Sequence, residues 1–87
     1  MTTRQEAYDA IDSERSYQDS IWQDQGHPEQ PNPLTVGEFI LMLEKYTEFA
    51  RTCWVNEPKP EIETLKIIRK IAAIAVNCME QNGVLKR

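Results

Sequence analysis

The chain has 87 residues, a formal charge of −4, one histidine and two cysteines. That length gives one domain with a thin core. No apolar run approaches the roughly 20 residues of a membrane span. Structural zinc is disfavoured, because Cys53 and Cys78 form no CxxC and His27 stands alone. The charge is uneven: −5 over residues 1–33, −1 over 34–60 and +2 over 61–87. An acidic front argues against generic duplex nucleic-acid binding, which needs a basic footprint. The basic end suits a small phosphate-bearing ligand. No leader pattern opens the chain, so the expectation is a cytoplasmic protein with reduced, buried thiols and no membrane contact.

The first helix is expected over about residues 3–22. Thr3-Arg4-Gln5-Glu6 is a capping-box pattern, in which the threonine oxygen accepts a free backbone amide and the glutamate reaches back. Residues 25–34, rich in proline and containing His27, break the helix and form an extended connection. His27 has no cysteine or carboxylate at catalytic spacing and does not read as a general base. A second capping box, Thr35-Val36-Gly37-Glu38, opens a helix over about 35–55. Asn56-Glu57-Pro58-Lys59-Pro60 ends it, and Pro60 suits the first turn of a third helix over about 60–82. Gly83 is a natural left-handed stop, followed by a short basic tail. The fold class is all-α: a small three-helix domain in which the first helix joins a long antiparallel hairpin of the second and third.

At 100° per residue the second helix carries an apolar arc of about half its circumference, and the third covers more than half. A three-helix monomer needs about one 100° stripe per helix. The surplus predicts a homo-oligomer joined through apolar helix faces, with Ala72, Ala73 and Ala75 permitting close approach.

The first helix departs from this pattern. Glu14 and Gln18 project from the apolar face that Ala7, Tyr8, Ile11, Ile21 and Trp22 define, and Arg15 lies at its edge. A buried carboxylate and amide cost several kcal/mol unless something pairs with them. Two explanations stand. One is a structural ion pair to a cation of the third helix. The other is a ligand pocket in which Glu14, Arg15 and Gln18 meet a ligand's polar edge and Tyr17 or Trp22 stacks on its ring. Lys66, Arg69 and Lys70 share a stripe of the third helix with Asn77, which suits phosphate oxygens or a plain solvated face. On the second helix Glu44 and Glu48 are one turn apart; they are either surface glutamates or carboxylates for a divalent cation. No Gly-rich phosphate loop, GxSxG or HExxH is present.

Glu14-Arg15-Ser16-Tyr17-Gln18-Asp19 with Trp22, Gly37-Glu38-Phe39, and Cys78-Met79-Glu80-Gln81-Asn82-Gly83 together resemble a group of small phage proteins described as MazG-like. The resemblance spans most of the chain. It implies an all-α oligomer with a nucleotide pocket, and a host-cell cytoplasmic setting. MazG-type enzymes are pyrophosphohydrolases that hold magnesium between an ExxE pair and an ExxD pair on successive helices. The second and third helices here do not match that pattern, since Glu44 and Glu48 are one residue too far apart. The resemblance therefore leads to a binder without turnover and without a resident cofactor. Its expected ligand is a nucleotide, a cyclic nucleotide or an ADP-ribose-type signal, sequestered in the manner of an anti-defence sponge. Two alternatives remain open. One is a divergent magnesium-dependent nucleoside triphosphate pyrophosphohydrolase using Glu44 and Glu48. The other is an acidic inhibitor of a host defence protein.

Overall fold

The computed structural model describes residues 1–24 and 34–87, and of Trp22, Gln23 and Asp24 it describes the backbone alone. The expected extended connection and His27 lie outside the described residues. Three helices follow in order: α1 (Arg4–Asp24), α2 (Val36–Asn56) and α3 (Glu61–Asn82). All described secondary structure is helical, as periodicity and breakers predict.

Both capping boxes form. Thr3 Oγ1 accepts from the Glu6 amide at 3.1 Å, and Glu6 Oε1 accepts from the Thr3 amide at 3.2 Å. Thr35 and Glu38 repeat the arrangement, both bonds being 3.1 Å. Each box satisfies backbone donors that the first turn leaves free, worth about 1 kcal/mol. Pro60 stands just before α3 rather than inside it. Its φ of −78° is close to helical, and its carbonyl accepts from the Thr64 amide at 2.8 Å. Gly83 ends α3 with φ 108° and ψ 161°. This is not the left-handed helical well expected of a glycine stop. It is an extended positive-φ conformation that side chains essentially forbid. The amide of Gly83 still closes the helix by donating to the Met79 carbonyl at 2.8 Å.

α3 is the centre of the fold. α2 lies antiparallel against it: Leu34, at the entry to α2, bonds the end of α3. The Leu34 amide donates to Gln81 Oε1 at 2.8 Å, and Asn82 Nδ2 donates to the Leu34 carbonyl at 3.0 Å. Among the described residues the buried apolar side chains are Phe39, Ala50, Ala73 and Ile74. Phe39 is fully buried, which contributes about 2–3 kcal/mol.

α1 also packs on α3. Among its described side chains Glu14 and Arg15 are buried, Ile11, Gln18 and Ile21 are half-buried, and Ala7 and Tyr8 are exposed. No Cα of α1 comes within 8 Å of a Cα of α2 among the described residues. Two helices docked on a third, with their own backbones held apart, leave a groove between them. That groove is the candidate functional site.

Candidate functional site

The groove consists of two hollows floored by α3. The wider, about 760 Å³, is lined by Ser13 of α1, Cys53 and Glu57 from the end of α2, and Glu63, Lys66, Ile67 and Arg69 of α3. The narrower, about 340 Å³, is lined by Gln18 of α1, Met42 and Tyr46 of α2, and Ile74, Asn77 and Gln81 of α3. Glu14, Tyr17 and Lys70 line both, so the hollows meet at those three side chains. Both volumes fall in the range of small-molecule sites, roughly 300–1,000 Å³.

At this waist the charges are unequally partnered. Glu14 is 5% exposed and accepts through Oε1 from Arg69 Nε at 2.8 Å. Its Oε2 has no protein donor among the described residues. The Arg69 guanidinium is 47% exposed, and its two terminal amino groups have no protein acceptor among the described residues. Lys70 has no carboxylate within 4.0 Å among the described residues. Its ammonium lies over the Tyr46 ring, 5.7 Å from the centroid, an attraction that positions the cation without neutralising it. Phe49 meets Tyr46 edge-on at 5.5 Å and fixes that ring in turn.

The amide side chains are oriented by what holds them. Arg15 Nη1, which can only donate, bonds Gln18 Oε1 at 3.3 Å. The Leu34 amide, also donor only, bonds Gln81 Oε1; Gln81 Nε2 then donates to Asn77 Oδ1 at 3.0 Å. Both chains of bonds begin at an obligate donor and end on an amide oxygen. Gln18 and Asn77 are therefore left with their NH2 groups free of protein acceptors among the described residues.

Arg15 belongs to the frame of the site more than to its open surface. Its Nε and Nη2 grip Glu80 of α3 at 2.6 and 3.2 Å, and Nη2 also bonds Asp19 at 3.0 Å. The hydrogen bond to Glu80 holds the guanidinium pKa above its ordinary value, against the opposing effect of burial. The same bond holds the Glu80 carboxyl below the usual carboxylate range, again against burial.

The structure thus gathers Glu14, Arg15, Tyr17, Gln18, Lys70 and Asn77 around the narrow hollow, and Glu14, Tyr17, Lys66, Arg69 and Lys70 around the wide one. Lys66 is also bonded to Glu63 at 3.1 Å. The backbone of Trp22 continues α1; its side chain lies outside the described residues. Glu44 and Glu48 line neither hollow. They border a shallow depression with Ile40, Leu43, Thr47 and Arg51, and Glu48 is paired with Arg51 at 3.0 Å. At 100° per residue they point about 160° away from Met42 and Tyr46, the α2 residues in the groove. Among the described residues no group of three or more metal-ligating side chains comes together. Cys53 and Cys78 are separate free thiols, half-buried rather than fully buried.

Sequence reasoning missed Leu34, Met42, Tyr46 and Gln81. Two carried a usable signal. Tyr46 is a hydroxyl-bearing ring inside the apolar arc of α2, and Gln81 follows Lys66, Lys70 and Asn77 along the same side of α3.

No family model, curated protein or solved structure matches this chain.

Proposed function

We propose that the protein binds a nucleotide or nucleotide-derived signal in this groove and holds it without turnover. The observation that carries the reading is the waist. The Lys70 ammonium and the terminal amino groups of Arg69 lack anionic partners among the described residues, beside a buried carboxylate, the exposed Tyr17 and the half-buried Tyr46. Cations held in place by aromatic and carboxylate contacts are ready for phosphate oxygens. Tyr17, half-exposed at the junction of both hollows, offers a face for a base. The likeness to small phage MazG-like proteins supports the same reading. In that setting the protein removes a nucleotide signal from solution by sequestration.

Self-association belongs to this proposal. Leu65, Ile68, Ala72, Ala75 and Met79 repeat at alternating spacings of three and four along α3. The three large ones are 64%, 48% and 43% exposed. A stripe with that spacing is a helix-pairing seam. It lies about 160–180° from Asn77 and Lys70, so pairing leaves the groove open.

The test incubates the protein with nucleoside triphosphates, cyclic oligonucleotides and ADP-ribose derivatives, with and without magnesium. The filtrate is then analysed before and after heat denaturation. Binding without turnover means that a compound disappears and returns intact. Return as products would support the pyrophosphohydrolase alternative instead and direct attention to Glu44 and Glu48. If nothing is retained, the nucleotide reading fails and the acidic α1 surface becomes a candidate for binding a protein.

A further inference from the structure

The hydrogen-bonding polarity of the narrow hollow narrows the ligand further. The groups around it are mainly donors: Gln18 and Asn77 each present an NH2 group, and Lys70 presents an ammonium. Neither amide can rotate to present oxygen without losing its bond to Arg15 or Gln81. The acceptor among the buried residues is Glu14, whose Oε2 has no protein donor among the described residues. Asp19, at the rim, is mostly exposed and bonded to Arg15. The tyrosine hydroxyls serve either way.

From this polarity we infer that the hollow selects nucleobases with a carbonyl next to a ring N–H, as in hypoxanthine, guanine and uracil. It disfavours adenine and cytosine. The inference rests on the nucleotide reading of the groove. A carbonyl oxygen accepts two hydrogen bonds and is drawn to the Lys70 charge, while the adjacent N–H has Glu14 Oε2 to receive it. Adenine places an amino group where that carbonyl would be. In that register an amino group offers only hydrogens to the Gln18, Asn77 and Lys70 donors, and the unprotonated ring nitrogen beside it meets Glu14 Oε2 with no proton between them. The expected preference is about tenfold or more.

Inosine and adenosine monophosphates make the closest comparison, since their bases differ only at the carbonyl and N–H in question. Titration of the intact protein with each, at one ionic strength, should give at least tenfold tighter binding of the inosine nucleotide. The triphosphate pair should give the same ratio. Asn77→Asp keeps the oxygen that accepts from Gln81 and replaces the NH2 group with a second acceptor. It should move the ratio toward adenosine. Equal or reversed affinities in the unmutated protein would overturn the base selection while leaving nucleotide binding intact. An unchanged ratio in Asn77→Asp would overturn the role of that amide in the selection. If neither nucleotide binds while another in the broader panel is retained, the selection is wrong. If none in the panel is retained, the underlying reading is wrong as well.

Discussion

Glu14 and Arg69 form an ion pair of unequal burial: the carboxylate is 5% exposed, the guanidinium 47%, and Oε1 and Nε are 2.8 Å apart. The two halves therefore differ in what their loss would cost. Removing Glu14 leaves a cation that water can reach. Removing Arg69 leaves a carboxylate largely cut off from water.

Arg69→Ala should destabilise the fold by about 3 kcal/mol, and Glu14→Ala by distinctly less. A double Glu14→Met, Arg69→Met variant should recover most of the loss, because no uncompensated charge remains. Urea denaturation followed by circular dichroism gives the three values. Equal costs for the two single variants would mean that the carboxylate is better solvated than its burial indicates.

The Arg15–Glu80 grip has a pH signature. The folded-state pKa of Glu80 lies below that of an ordinary carboxyl, chiefly because of the hydrogen bond from Arg15. Its contribution is therefore fully present above the ordinary carboxylate range and fades as pH falls through the lowered folded value. Glu80 is half-exposed, side chain 51%, so solvent screening limits the contribution to about 1 kcal/mol. Melting temperatures of the unmutated protein and Glu80→Gln should differ at neutral pH and converge in acid. High salt should also narrow the gap. A difference that grows toward acid would contradict the assignment.

The α3 seam leads to a mass measurement. Light scattering should give a multiple of the 10.1 kDa chain at micromolar concentration. Ala72→Glu, at the middle of the stripe, should give single chains that keep their helical content. A single-chain mass for the unmutated protein at 100 µM would remove the seam from the proposal.

How much of this was legible in the sequence depended on the range of the interaction. Thr3 with Glu6, and Thr35 with Glu38, are local pairs, so helix starts could be read directly. Helix ends were also legible, although Gly83 adopts a different positive-φ conformation from the expected one. The misplaced polarity of Glu14 was visible because a single helical face reveals it. The sequence left open whether an ion pair or a pocket explained it, and the structure contains both the pair with Arg69 and a groove alongside. The grip of Arg15 on Glu80, and the hold of Gln81 and Asn82 on Leu34, were not legible. Each joins residues more than 40 positions apart and depends on how α1 and α2 cross α3. The groove itself follows from α1 and α2 keeping their Cα atoms more than 8 Å apart among the described residues, which no periodicity encodes.

The proposed occupant of the waist between α1 and α2 is a nucleotide. The most direct measurement is a nitrogen-proton correlation spectrum of the labelled protein during titration with a retained nucleotide. It is repeated with Lys70→Met, which keeps the stem over Tyr46 but removes the charge. The expected shifts fall on the side-chain amides of Gln18 and Asn77 and on the backbone around Glu14, Tyr46 and Lys70. Lys70→Met should weaken binding about tenfold or more with its thermal unfolding unchanged. Shifts confined to the Glu44 and Glu48 face of α2, or undiminished affinity in Lys70→Met, would contradict the claim.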